Sequence, residues 1–221
     1  MEKLNFSECT LSKMEKIFKL IPTKQSQVLV DWITTDFELS DFDHENIRRL
    51  CELLQDNVDH WNEFDLSMHF VGPIFSAVNF TKPMRFNLFA QRSFEADINN
   101  IKLMGRVDEV IASGYRDPEL PFFAFNEYKK ETNPDGDPGG QVLAAMLVGQ
   151  QQNQDEGNDF PIYGCYIIGR NWFFIVLEGR KYTKSNSYNS TKQEDALQIL
   201  RILLQLKQYC MDRTAHIVVE I

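Results

Sequence analysis

The segment from Pro121 to Lys129 (PFFAFNEYK) decides the fold class of this chain. Its residues Phe122-Phe123-Ala124-Phe125 are apolar at successive positions, so both faces of the strand need to be covered. A strand that is covered on both faces lies inside a sheet, between layers of helices. The segment therefore predicts a central β-strand in an α/β protein.

Signals of further strands and helices lie on both sides of this segment. Asn99-Asn100 predicts a hairpin turn between two alternating strands, and Gly169-Arg170-Asn171 predicts a second one. Asp137-Pro138 combines an N-cap with a proline at the first helical position, and so predicts the start of a helix. The predicted strands span 86–98, 101–112, 121–129, 162–168 and 172–177, and the predicted helices after residue 83 span 141–151 and 193–212.

The first sixty residues are predicted to form helices. Apolar residues recur at helical spacing from Met14 to Ile21 and again over 47–58. A further helix is predicted over 61–80, where Gly72-Pro73 should kink or break it, and Glu63 lies on its apolar stripe. We therefore predict an N-terminal helical segment over 1–60, followed by a domain over 61–221 with a mixed β-sheet flanked by helices.

The composition excludes several classes of protein. No run of about 18 apolar residues occurs, and residues 1–11 lack the apolar stretch of a signal peptide, so we predict a cytoplasmic protein with no membrane partner. The four cysteines form no C-x-x-C pair, and we expect buried thiols rather than zinc ligands or disulfides. Glycine-rich phosphate-binding motifs and the G-x-S-x-G motif of serine hydrolases are also absent from the sequence.

The net charge of −9 is unevenly distributed along the chain. Residues 1–70 contain 14 acidic and 7 basic side chains, whereas residues 170–184 contain four basic side chains and only Glu178 as an acid. A basic stripe is the usual contact surface for a nucleic-acid backbone. The candidate contact residues are Arg170, Arg180, Lys181 and Lys184. The alternative is that these residues are the solvated end of a hairpin.

Charged residues interrupt two of the predicted strands. Asp108 lies inside the apolar segment 103–112, and Glu127 and Lys129 lie at the end of the Phe-rich strand. Because side chains alternate along a strand and neighbouring strands lie about 4.8 Å apart, Glu127 and Lys129 share a face, and we expect Asp108 beside Glu127. Two carboxylates are suitable ligands for Mg²⁺ or Mn²⁺, and a lysine beside them can activate water or stabilise phosphate charge. The group therefore predicts hydrolysis of a phosphodiester.

The sequence resembles the D…(D/E)-x-K core of the PD-(D/E)XK nuclease superfamily at Asp108 and at Glu127-Tyr128-Lys129, which are separated by an 18-residue gap. The resemblance covers about residues 61–212 and implies a restriction-endonuclease-like fold, dependence on Mg²⁺ or Mn²⁺, and cleavage of DNA or RNA strands. Of the two nucleic acids, DNA is the partner that we expect. The resemblance extends to Glu63, in the place of a further acidic metal ligand, and to Gln141, in the place of a glutamine of helicase-associated exonucleases. Two positions depart from the family pattern, namely Val107 in place of proline and Ala145 in place of tyrosine.

Two alternatives stay open at the level of the sequence. Asp159 and Glu178-Gly179-Arg180 repeat the 19-residue offset of Asp108 and Glu127, so this spacing alone proves little. Glu127 could instead form a buried structural ion pair with Lys129 or Arg106. The chain would then be a catalytically inactive nuclease-like fold that serves as a nucleic-acid or protein interaction module. The sequence also leaves the oligomeric state open, a homodimer included.

Overall fold

A nine-stranded mixed β-sheet with helices on both faces forms the centre of the computed structural model, which describes residues 2–215. The strands are β1 Glu2–Asn5, β2 Ile21–Thr23, β3 Asn87–Ile98, β4 Ile101–Ser113, β5 Glu119–Lys129, β6 Ile162–Ile168, β7 Asn171–Glu178, β8 Lys181–Lys184 and β9 Tyr188–Asn189. The α-helices are α1 Leu11–Phe18, α2 Gln27–Ile33, α3 Asp41–Asn57, α4 Glu63–Leu66, α5 Gly72–Val78, α6 Pro138–Asp155 and α7 Gln193–Arg213. This arrangement confirms the predicted fold class and is consistent with a restriction-endonuclease-like fold.

The main path of the sheet runs in the order β1-β4-β5-β6-β7-β8-β2, with β3 paired to β4 and β9 paired to β7. β5 is antiparallel to β4 and parallel to β6. Phe123, Ala124 and Phe125 are fully buried in this central strand. One apolar core contains Phe125 and the residues of α1 and α6, and a second core contains Phe123 and residues of α2, α3, α5 and α7. The prediction of a central strand covered on both faces is confirmed.

The local signals for turns and helix starts act as expected. Asn99 and Asn100 both adopt positive φ angles (52° and 63°), which a two-residue hairpin turn between β3 and β4 requires. The Asp137 side chain accepts a hydrogen bond from the Gly140 N–H, and α6 begins with Pro138. Residues 61–80 are interrupted as expected, because a π-helical turn, Ser67–Val71, separates α4 from α5, whose second residue is Pro73.

The N-terminal segment contributes to the sheet as well as to the helices. β1 pairs in parallel with β4 (Leu4 with Leu103), and β2 pairs in parallel with β8 (Pro22 with Tyr182). Ile21 therefore lies in β2 rather than on the predicted helical stripe. The partners of these short strands lie far away in sequence, so no local alternation marks them. The boundary at residue 60 stays a prediction, although both strands bind elements beyond it.

Two findings bear on the predictions from composition. All four cysteines are free and buried, as predicted, and are Cys9, Cys51, Cys165 and Cys210. Within residues 2–215, none of the helices has the length and apolar character needed to cross a membrane.

Candidate active site

Four of the predicted site residues, Glu63, Asp108, Glu127 and Lys129, meet near the end of β5. Glu109 on β4 is the register partner of Asn126 on β5, so Asp108 and Glu127 occupy the next positions along this antiparallel pair. Lys129 is the last residue of β5. Glu63 is the first residue of α4 and reaches the same place from outside the sheet. The structure thus brings together three carboxylates and one ammonium group from three elements.

Lys129 connects two of the three carboxylates. Its Nζ lies 2.8 Å from Glu127 Oε1 and 3.6 Å from Glu63 Oε2. The side chains of Glu127 and Lys129 are 9% and 12% exposed, so solvent screens this pair weakly. The ion pair between Glu127 and Lys129 is therefore present, as the structural alternative expects, and the two side chains share a face, as the active-site interpretation expects.

Asp108 is held by neutral donors. Its Oδ2 accepts a hydrogen bond of 2.9 Å from the Tyr128 N–H, and its Oδ1 accepts one of 2.9 Å from Gln91 Nε2. Arg106, the other suggested partner of Glu127, donates its Nε–H to the Gln91 carbonyl oxygen instead. The carboxylate of Asp108 is thus fixed by β3 and β5, and it forms no ion pair with any residue that the structure describes.

The charges of the cluster are not balanced. Burial, followed by the charge of Asp108, raises the pKa of Glu127 to about 7, although Lys129 acts in the opposite direction. Burial also raises the pKa of Asp108, against the hydrogen bond from Tyr128 and the charge of Lys129. Burial lowers the pKa of Lys129, but the carboxylates of Glu127, Glu63 and Asp108 outweigh it and raise that pKa overall. If all four groups are ionised, two negative charges remain uncompensated, so a cation would be stabilised here.

The donor atoms fit a hard divalent cation with few protein ligands. Among residues 2–215 no group of three or more His, Cys, Asp or Glu side chains is arranged to hold a metal ion. Mg²⁺ is commonly bound through one or two carboxylates, with waters and substrate phosphates completing its shell. Asp108 and Glu127 supply such a pair, and Glu127 Oε2 has no hydrogen-bond partner among the described residues. Glu63, predicted as a third ligand, contacts Lys129 instead.

Gln141 lies in the first turn of α6 and is buried. Its amide faces the preceding loop, because a Cβ added to Gly136 would lie 2.5 Å from Gln141 Nε2. Within the described part of the chain, its side chain makes no hydrogen bond to Asp108, Glu127 or Lys129. The structure therefore places Gln141 against the loop before α6 rather than on the carboxylates.

The four predicted nucleic-acid contacts do not form one continuous stripe. Arg170 is ion-paired with Asp59 and with Glu131, the latter at 3.1 Å. Lys184 lies on the α6 side of the sheet, with its Nζ 6.0 Å from the ring centroid of Phe173. That ring stacks on Tyr166, the register partner of Glu127.

Arg180 and Lys181 lie at the other end of the strands. They follow the turn at Gly179, whose carbonyl oxygen accepts a hydrogen bond from Gln150 near the end of α6. Gly139, at the start of that helix, lies against Tyr166 beside the site. Eleven helical residues span about 17 Å, so the turn is remote from Asp108 and Glu127.

Glu109 is a buried acid that the sequence interpretation missed. It is 6% exposed, and its Oε2 has no hydrogen-bond partner within residues 2–215. Burial, with a smaller contribution from the charge of Asp108, raises the pKa of Glu109 to about 8. Its position directly after Asp108, inside a predicted strand, is the signal that could have revealed it.

Asp159 and Glu178, the alternative pair from the sequence, have different hydrogen-bond partners. Asp159 accepts a hydrogen bond from Gln154, whereas Glu178 accepts one from Ser26.

A cavity of about 730 Å³ lies between α3 and the α4–α5 region. Its lining residues are Phe42, Asn46, Phe64, Ser67, Met68, Gly72, Pro73, Ser76 and Ala77. Asp108, Glu127 and Lys129 are not among the residues that line this cavity.

Comparison with known proteins gives little further information. No protein-family model matches the chain, and no curated protein matches it. Among solved structures, the chain is similar to a DrdV–DNA complex determined by cryo-electron microscopy, with 11% identity and a TM-score of 0.42. The similarity covers 73% of this chain and 14% of that chain. At this level it assigns neither a family nor an activity.

Proposed function

We propose that this protein is a metal-dependent nuclease that hydrolyses phosphodiester bonds of nucleic acid, with DNA as the expected substrate. The observation that supports the proposal is the meeting of Glu63, Asp108, Glu127 and Lys129 near the end of β5, where three carboxylates share one ammonium group. One ion pair needs one carboxylate and one ammonium group, whereas this cluster contains more carboxylates than ammonium groups. A site for a divalent cation accounts for the surplus.

In this proposal each side chain has a separate task. Asp108 and Glu127 hold Mg²⁺ or Mn²⁺, which when bound lowers the pKa of water and neutralises charge on phosphate oxygens. Lys129 donates one N–H to Glu127 Oε1 and has further N–H groups for a water molecule or a phosphate oxygen. Glu63, whose Oε2 lies 3.6 Å from Lys129 Nζ, attracts the ammonium and helps to hold it in place. Lys184, on the same side of the sheet, is the expected contact for the nucleic-acid backbone.

Cleavage assays test the proposal directly. The purified protein is incubated with single-stranded DNA, double-stranded DNA and RNA in Mg²⁺ or Mn²⁺. We expect Asp108→Asn to lower cleavage at least about 100-fold, since the metal contributes several kcal/mol to such reactions. Asp97→Asn is the matched control, because Asp97 is an exposed residue of β3. Unaltered protein that cleaves none of these substrates would contradict the proposal.

A binding module without catalysis is the second candidate. The observation that favours it is that the Glu127–Lys129 pair is complete without a metal. Thermal unfolding separates the two candidates, because an ion that binds only the folded protein raises Tm. The nuclease proposal expects Mn²⁺ to raise Tm in the unaltered protein and not in Glu127→Gln. The module proposal expects Mn²⁺ to leave Tm unchanged in both proteins.

A further inference from the structure

Gln91 has a backbone conformation that is unusual inside a strand. It lies in β3 between Ala90, the register partner of Glu109, and Arg92, the register partner of Val107, so it faces Asp108. Its φ angle is +55°, in the left-handed region. Side chains with a Cβ disfavour this region, and glycine or asparagine is the usual occupant. A glutamine at this position therefore needs a compensating interaction.

The compensating interaction is with the candidate metal ligand. Gln91 Nε2 donates a hydrogen bond of 2.9 Å to Asp108 Oδ1, while the Tyr128 N–H donates one of 2.9 Å to Asp108 Oδ2. The Gln91 carbonyl oxygen accepts a hydrogen bond of 3.0 Å from Arg106 Nε. Gln91 is thus held through its main chain and holds Asp108 through its amide.

Two donors from two strands determine the orientation of the Asp108 carboxylate. Each carboxylate oxygen has two lone pairs, so one on each oxygen stays free after these hydrogen bonds. A carboxylate with a single donor could rotate about its Cβ–Cγ bond, because that torsion is broad. With both oxygens engaged, the free lone pairs keep a constant direction relative to Glu127.

We propose that Gln91 is a positioning residue that orients Asp108 for a divalent cation and retains a left-handed backbone for this purpose. This inference rests on the proposed function. Hydrogen-bonding partners of metal ligands typically change metal affinity by about 10- to 100-fold when they are removed. The amide of Gln91 is such a partner, whereas its backbone conformation by itself opposes folding.

Gln91→Gly separates a role in metal binding from a role in folding, because glycine accepts a positive φ and lacks the amide. Ser93→Gly is the matched control, because Ser93 is an exposed residue of the same strand and does not have a positive φ angle. Isothermal titration calorimetry measures the Kd for Mn²⁺, and urea unfolding without metal measures stability. We expect Gln91→Gly to weaken Mn²⁺ binding by about 10-fold or more while its urea midpoint stays equal to that of the unaltered protein or rises. Ser93→Gly should keep the Kd and lower the midpoint.

The outcomes distinguish failure of this inference from failure of the proposed function. If unaltered protein binds Mn²⁺ and Gln91→Gly binds it equally well, Gln91 has no positioning role and the nuclease proposal stands. A Gln91→Gly variant that loses more stability than Ser93→Gly, or fails to fold, would show that Gln91 supports the fold and would overturn the inference. If unaltered, folded protein binds no Mn²⁺, both proposals are wrong. Gln91→Asn, which tolerates positive φ but has a shorter amide, should bind Mn²⁺ with intermediate affinity.

Discussion

Buried acids make the stability of this protein depend on pH. Glu109 has a pKa of about 8 in the folded protein against 4.5 as its ordinary value. Between these values the folded state keeps a proton that the unfolded state releases, so stability falls as pH rises, by at most about 1.4 kcal/mol per pH unit for each such group. Glu127, with a pKa of about 7, acts in the same direction.

Glu109→Gln removes one of these titrating groups. We expect the free energy of unfolding of the unaltered protein to fall between about pH 5 and pH 8, and the variant to lose less over this range. Urea unfolding at several pH values measures both slopes. Glu95→Gln, at an exposed residue of β3, is the control and should keep the original slope. An equal slope in Glu109→Gln would show that Glu109 does not titrate in this range.

Lys129→Met leaves Glu127 without its ammonium partner. Burial and the charge of Asp108 then raise the pKa of Glu127 further, because the opposing contribution of Lys129 is gone. We expect a loss of up to about 3 kcal/mol in stability at pH 8 and a smaller loss at pH 6, where Glu127 is protonated and neutral. Lys102→Met, which breaks the exposed pair with Glu95, should cost under about 1 kcal/mol at both pH values. Equal losses at pH 6 and pH 8 for Lys129→Met would contradict this account.

At the scale of elements, a glycine lets the N-terminal segment approach β4. A Cβ added to Gly105 would overlap the ring of Phe6, which is 2% exposed in the short 3-10 turn after β1. We expect Gly105→Ala to cost about 1–3 kcal/mol through overpacking and Phe6→Ala about 3–5 kcal/mol through a cavity. The double variant should lose less than the sum, because the new methyl group occupies the space left by the ring. Additive losses in urea unfolding would show that these residues are not in contact.

The elements that sequence analysis predicted correctly are those whose signals are local. The apolar run at 122–125 predicted a central strand, and Asp137-Pro138 predicted a helix start. β1 and β2 were not predicted because strands of three or four residues show no periodicity of their own. Their pairing depends on partners about 100 to 160 residues away.

The candidate site was predictable only in part, for the same reason. Asp108, Glu127 and Lys129 stood out as charges within apolar strands. The role of Gln91 depends on a backbone angle and on the register of β3 with β4. In the sequence Gln91 is only a polar residue in a predicted strand, and neither property can be read from that. Arg170 and Arg180 are close in sequence, but β7 separates them in space, so a count of charges could not show that they face different surroundings.

At the scale of the whole molecule, the N-terminal segment completes the sheet and the second core. β1 and β2 occupy the two ends of the main strand order. Trp32 of α2 is fully buried, and its Nε1 donates a hydrogen bond of 2.9 Å to the Ile202 carbonyl oxygen of α7. We therefore expect a protein that lacks residues 1–60 to lose cooperative unfolding in urea. A truncated protein with the same sharp transition as the full chain would show that residues 61–221 fold independently.

The positions of β1 and β2 also affect the synthesis of the chain. The partner of β2 is β8, which is translated about 160 residues later, or roughly 8–30 s later at about 5–20 residues per second. During that interval an unpaired strand and the apolar faces of the first helices are exposed on the nascent polypeptide. Residues 1–70 contain 14 acidic and 7 basic side chains, a net charge of −7, and we expect this charge to oppose association of neighbouring nascent chains during that interval.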